Sequence, residues 1–206
     1  MIWESGPWKD ELLANVRLLK KLEPSRRTAR REFAIERAVF LSAYIMRKLW
    51  EAGKLSSTWK NKRSKCIYHR PKGRFVDRLN WHRIDELFDL NRPEDASLTA
   101  IELCNRLIHS FVFLMVDGPR KTISGFFFTS DQTRRRGLWF IEFAEILALM
   151  RETGRDYPSS GRMVRHPRTC DWIAWAGHGV PPEEWTKAAE HLQRLSVHST
   201  NAKSGD

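Results

Sequence analysis

The sequence predicts an α+β fold, a helix-rich single domain with antiparallel N-terminal helices and a β-hairpin between the central and third long helices. Three observations carry this expectation. Apolar residues recur at helical spacing on both sides of a Pro24-Ser25 break, as in two amphipathic helices that run out and back. Two runs rich in aromatic and β-branched residues flank Asp117-Gly118, a strong hairpin turn. The 206 residues suffice for one sizeable core and require no second one. The domain is drawn over 1–196, with a frayed tail over 197–206.

Pro7-Trp8-Lys9-Asp10-Glu11 opens the first helix, where Ser5 or Gly6 can cap and Pro7 suits the first turn. Its stripe is Trp8, Leu12, Leu13, Val16, Leu19 and Leu22. Ser25 precedes a second helix running to about Ala52, with the stripe Phe33, Val39, Phe40, Ala43, Tyr44, Met46 and Trp50 and with Gly53 to stop it. So short a connection predicts antiparallel packing. Residues 54–78 change texture, because Lys60-Asn61-Lys62-Arg63-Ser64-Lys65 and His69-Arg70-Pro71-Lys72-Gly73-Arg74 are basic and poor in apolar residues. They predict a basic loop, the most mobile part of the chain. Residues 84–90 read equally well as a short helix or an edge strand.

Ser97 is placed as the cap of the central helix, whose apolar residues are Leu98, Ile101, Leu103, Leu107 and Ile108. Asn105 and His109, one turn apart, would project side by side. The hairpin arms run from Ser110 to Val116 and from Thr122 to Thr129; the first is apolar on both faces, which predicts burial between helices or in mid-sheet. Arg134-Arg135-Arg136 leads into a third long helix with the stripe Trp139, Phe143, Ile146, Leu147 and Met150, ending at Gly154. Tyr157 to Gly161 reads as a loop, Trp172 to Trp175 as a last strand, and Pro181-Pro182 as the start of a terminal helix to about Leu195.

A net charge of +11, concentrated in arginine-rich clusters, favours a polyanionic partner, with RNA or DNA first and an acidic protein second. The candidate nucleic-acid-binding residues are Arg26, Arg27, Arg30, Arg31, Lys60, Lys62, Arg63, Lys65, His82, Arg106, Arg134, Arg135 and Arg136. Arginines at a helix start oppose the macrodipole, so stability alone does not ask for them there, whereas phosphate contact would. Trp81-His82-Arg83 sets an aromatic ring beside a cation, which suits base stacking or the edge of a core. No glycine-rich phosphate loop, nucleophile elbow or His-Glu-x-x-His is present, so ordinary small-molecule enzymes are poorly supported. Cys66-x2-His69 and His166-x3-Cys170 have zinc-compatible spacing, but the pairs lie about a hundred residues apart without knuckle glycines. Neither a metal nor a cofactor is expected. Three scattered cysteines without an apolar leader predict a reducing cytoplasm, and the longest apolar run, Phe111 to Val116, is too short for a membrane. Homo-oligomerisation is left open.

Asn105-Arg106-Leu107-Ile108-His109 resembles the corresponding helix of HEPN domains, small helical bundles that include nucleotide-binding proteins, toxins and metal-independent ribonucleases. That family carries an Arg, commonly followed by Asn, with a His four to six residues after the Arg, at a helix end in a cleft usually made by a dimer. The resemblance implies Asn105 and His109 as the catalytic pair, and a bacterial defence or toxin-like setting. The arginine position is Cys104, and a thiol cannot stabilise phosphate charge; Arg106 lies on another face of the helix. The sequence therefore favours nucleic-acid binding, with an interaction subunit for an acidic partner as the alternative and a HEPN-type ribonuclease as the second. It also favours a core His109, hydrogen-bonded through Asn105 or a backbone carbonyl.

Overall fold

The structure, a computed structural model, describes residues 2–119, 122–166 and 168–201. Helix α1 spans Gly6–Leu22 and α2 spans Ala29–Glu51. Thr28 caps α2 by accepting from the Arg31 amide at 3.1 Å, and Gly53 ends it with φ +66. The core stripe of α2 is rotated from the expected one. Ile35, Ala38, Val39, Ser42, Ala43, Ile45, Met46 and Leu49 are buried, while Phe33 is 61% and Tyr44 44% exposed. Both stripes have helical spacing, and the one holding small Ala38, Ser42 and Ala43 lets α1 approach closely.

The expected helix-rich domain with one hairpin is not what forms. Its place is taken by a five-stranded antiparallel sheet ordered β2-β1-β5-β4-β3, with a separate two-stranded sheet beyond it. The strands are β1 Arg63–His69, β2 Glu94–Thr99, β3 Ser110–Asp117, β4 Ile123–Ser130 and β5 Leu138–Glu142. Strand β1 lies inside the stretch read as a mobile basic loop. It alternates Ser64 and Cys66, both buried, with exposed Arg63 and Lys65, so its basic residues occupy the solvent face of an ordered strand. It pairs with β2 on one side and β5 on the other. Ahead of it, Leu55 and Trp59 are 1% and 0% exposed, which anchors residues 54–62 as well.

Strand β5 likewise occupies residues read as the start of the third helix. Leu138, Trp139 and Ile141 are buried in the sheet, and α5 begins only at Phe143, running to Gly154. Arg134-Arg135-Arg136 therefore precedes a strand, and the macrodipole argument does not apply to it. Ser97 belongs to β2; the cap of α4, Ala100–Ile108, is Thr99. Thr99 Oγ1 accepts from the Glu102 amide and the Glu102 carboxylate accepts from the Thr99 amide and hydroxyl, a reciprocal box. The Thr99 amide holds the Glu102 carboxyl below its ordinary range.

The β3–β4 arms pair around Asp117-Gly118, but β3 is the edge of the sheet, not its middle. The open choice at 84–90 resolves into a one-turn helix α3, Ile84–Leu87, followed by a single bridge between Pro71 and Phe88. Ser160 and Gly161, read as loop, start β6, Ser160–Arg165, which pairs with β7, Trp172–Gly177. Helix α6, Glu183–Asn201, continues into the expected tail, whose last five residues lie outside those described.

Helices α4 and α5 lie against one face of the sheet and α1 and α2 pack onto them, and on this face Phe126 and Phe128 are fully buried beside Trp139 and Ile141. Burying each such side chain contributes about 1.5–3 kcal/mol. Residues 70–90 cover part of the other face, packing Val76, Leu87 and Phe88 onto Val112 and Leu138. Among the described residues, no helix is long and apolar enough to cross a membrane.

Candidate nucleic-acid interface

Three segments converge where α4 ends. The β4–β5 turn is held by Thr133, whose hydroxyl accepts from the Ser130 amide at 3.1 Å while the Arg134 amide donates to the Ser130 carbonyl at 2.8 Å. Its base is tight. A Cβ on Gly137 would come 2.1 Å from the Tyr68 ring, whose hydroxyl donates to the Arg136 carbonyl. The Asp131 amide donates to the His109 carbonyl at 3.1 Å, fastening this turn to the C-terminal cap of α4.

The turn projects two guanidinium groups onto phenylalanine rings. Arg134 lies 4.1 Å from the centroid of Phe111 and 5.7 Å from that of Phe75, and Arg135 lies 4.5 Å from Phe75. Phe75 is 53% exposed, in a loop braced by Asn80, whose side-chain amide donates to the Phe75 carbonyl at 2.8 Å. Arg134 also has Asp131 at 3.5 Å, whereas neither Arg135 nor Arg136 has a carboxylate partner among the described residues. His82 is exposed, edge-on to Trp81.

His109 is exposed, which overturns the core reading of this histidine. The reason is its position: α4 ends at Ile108, so His109 caps the last turn and its ring clears the core, two residues before Phe111. Asn105, half-buried, accepts from Arg47 of α2, which also reaches Glu51 at 2.7 Å. Cys104, at the position where HEPN domains carry arginine, is fully buried, and burial pushes its thiol up to about 12. Arg106 is withdrawn too. It is half-buried with its guanidinium 4.3 Å from the Trp139 ring, and burial lowers its pKa.

The other basic candidates are scattered over the molecule. Arg31 is 5% exposed and donates to the carbonyls of Leu22 and Glu23, both at 2.8 Å, so it clamps the end of α1 and is unavailable to phosphate. Arg27 is bound to Glu32 and Asp117, Lys62 to Glu152 at 2.6 Å, and Arg63 to Ser97 at 2.8 Å. Arg26, Arg30 and Lys65 are exposed, and Lys60 sits over Trp50 at 5.8 Å. Of the residues singled out in the sequence, only His109, Arg134, Arg135 and Arg136 gather at this site. Phe75 and Phe111 complete the site; the sequence marks Phe111 only as part of an apolar hairpin arm, and for Phe75 the signal is an aromatic residue set among Lys72, Arg74 and Arg78.

The cysteine-histidine pairs do not assemble. Cys66 faces the helices, while His69, three residues along the same strand, turns its ring edge to Phe127 on the other face, with Nδ1 3.2 Å from the Asp89 carbonyl. His166 Nδ1 accepts from the amides of Arg168 and Thr169. Among the described residues, no three His, Cys, Asp or Glu side chains are placed to hold a metal ion. No family model, curated protein or solved structure matches this chain. The HEPN resemblance therefore rests on the residues of α4 alone.

Proposed function

We propose that this protein binds RNA through the surface formed by Phe75, Phe111, Arg134 and Arg135, with His109 at its rim. The carrying observation is the half-exposed Phe75 ring flanked by two guanidinium groups, one of which lacks a carboxylate partner. Such a ring offers a base a stacking face worth about 1–3 kcal/mol, and planar guanidinium suits phosphate oxygens. Single-stranded RNA fits better than a duplex, because only unpaired bases can splay onto a ring. An acidic protein would use the charge and leave the ring without a role. A metal-independent ribonuclease is the second reading, favoured by the exposure of His109 one turn from Asn105. A cytoplasmic setting is part of the proposal and suits three unpaired cysteines; a bacterial defence or toxin-like setting rests on the likeness of α4 to HEPN helices.

The test is fluorescence anisotropy with a labelled random-sequence RNA over a salt series. Expected are affinity that falls linearly with the logarithm of salt concentration, and weaker binding by Phe75→Ala and Arg135→Ala at unchanged melting temperature. Absent binding at low salt, or binding that ignores both substitutions, overturns the proposal.

A further inference from the structure

The C-terminal hairpin carries a surface that the Phe75 site does not use. Strand β6 pairs with β7 so that Gly161 faces Ala176, Met163 faces Ala174 and Arg165 faces Trp172. Residues directly opposite in an antiparallel pair point to the same side, so these three pairs share one face. The alternate residues Val164 and Trp175, each 8% exposed, form the covered side, with α6 lying against β6. The first face is open: Met163 is 61% and Trp172 60% exposed, and Ala174 is exposed beside them.

The hairpin is fixed to the rest of the molecule and at its own tip. The Ser57 amide donates to the Ala176 carbonyl at 2.8 Å, and the Ala176 amide donates to the Ser57 hydroxyl at 2.9 Å, which ties β7 to the segment anchored by Trp59. At the tip the His166 amide donates to the Asp171 carbonyl at 2.8 Å, and Arg165 Nε donates to the Cys170 carbonyl at 3.3 Å. The same guanidinium lies 6.0 Å from the centroid of the Trp172 ring. From Ser160 to Gly177 the chain carries Arg162, Arg165 and Arg168 against a single acid, Asp171. All three arginines are exposed, and none has a carboxylate partner among the described residues.

We propose that single-stranded RNA also lies on this face of the hairpin, with an unpaired base stacked on Trp172 and its phosphates against Arg165 and Arg168. This rests on the RNA reading above and adds to it a second stacking platform on a separate element. Charge and shape select the occupant. Guanidinium groups without carboxylates suit phosphate oxygens, and small Ala174, two residues along the strand, leaves the flank of the ring open to a flat group. A lipid surface would meet the hairpin at its tip, where the side chains of His166, Arg168, Thr169 and Asp171 are polar.

The hairpin supplies its own probe. Cys170 is exposed two residues before Trp172, whereas Cys66 and Cys104 are buried, so the alkylation of the folded wild-type chain by iodoacetamide reads this surface. Random-sequence RNA at a saturating concentration should slow the modification of Cys170. By anisotropy, Trp172→Ala should weaken RNA binding about 5- to 100-fold at unchanged melting temperature, as loss of one stacked base does, and Trp172→Phe should restore most of it. Arg165→Ala together with Arg168→Ala should reduce the salt slope by about two. Cys170 alkylation that ignores saturating RNA, or full affinity in Trp172→Ala, overturns this inference and leaves the Phe75 surface standing. Binding that survives Phe75→Ala but is lost in Trp172→Ala supports the hairpin and removes the Phe75 surface, and absent binding at low salt overturns both. Slower alkylation with phosphatidylserine vesicles but not with RNA would assign the hairpin to lipid and overturn the inference. The alkylation comparison needs no substitution, so it decides the matter even where a variant does not fold.

Discussion

Trp59 donates its indole N–H to the hydroxyl of Thr153 across 2.8 Å, and both side chains are fully buried. This bond ties the segment before β1 to the last turns of α5, and the Thr153 hydroxyl in turn donates to the Leu149 carbonyl at 2.7 Å. Thr153→Val keeps the shape but strands the indole donor. The expected cost is about 1–3 kcal/mol, measured as a lower urea midpoint with an unchanged slope. A loss within experimental error would mean that the indole finds water, and that residues 54–62 are looser than their burial indicates.

Arg31 and Arg135 looked alike in the sequence and should separate on mutation. Arg31→Met removes two charge-assisted bonds to the end of α1, each worth about 1.5–3 kcal/mol, so the melting temperature should fall while RNA affinity of the folded protein holds. Arg135→Ala should do the reverse, lowering affinity and reducing the salt slope by about one. Equal loss of affinity from both substitutions would assign Arg31 a contact that its burial forbids.

That contrast marks how far the residues could be read without the fold. The β3–β4 turn was legible because Asp117-Gly118 with aromatic flanks has few other conformations. Strand β1 was hidden because Arg63 and Lys65 dominate the mean polarity, and the alternating Ser64 and Cys66 that turn inward are only weakly apolar. Strand β5 was hidden by an accident of spacing. Trp139 and Phe143 are four apart, as on one helix face, yet Trp139 and Ile141 share a strand face and Phe143 begins α5. On α2, two apolar stripes of equal period competed, and small Ala38 and Ser42 won because they permit close packing. The site suffered from a different problem. Charge clusters mark candidates, but whether an arginine clamps a carbonyl, as Arg31 does, or lies on a ring, as Arg135 does, depends on tertiary neighbours that spacing does not encode.

Lys9 supplies a pH test. It is 1% exposed, donates to the carbonyls of Lys54 at 3.0 Å and of Asp156, and lies 3.9 Å from the centroid of Tyr157. Burial lowers its pKa below the ordinary 10.5, with Asp156 partly offsetting the shift. The unfolded chain therefore binds more protons than the folded one between the lowered value and 10.5, and stability attributable to Lys9 rises with pH through that window. Below the window the folded state carries the full cost of the buried ammonium. The unfolding free energy of wild type minus that of Lys9→Met should be flat at neutral pH and climb as pH approaches 10.5. A difference that falls over the same range would mean that the fold prefers the charged form.

His109 separates the remaining readings most sharply, and its exposed position reverses the outcome expected from a core histidine. Its ring has no hydrogen-bond partner among the described residues, so His109→Ala should change stability by less than about 0.5 kcal/mol, as surface substitutions do. Asn105→Ala removes the acceptor of Arg47, which keeps Glu51, and should cost about 1 kcal/mol. RNA binding discriminates further. A rim histidine offers its ring to a base or a phosphate, so His109→Ala should weaken RNA binding at an unchanged melting temperature. Cleavage is not expected, because Cys104 is buried where the HEPN motif needs arginine, and Arg106 is committed to Trp139. Metal-free RNA cutting by wild type, falling about 10²–10⁴-fold in His109→Ala at unaltered melting temperature, would instead establish the ribonuclease reading. The arginine would then have to come from outside α4, and Arg134, whose turn is fastened to the His109 carbonyl, is the first to substitute.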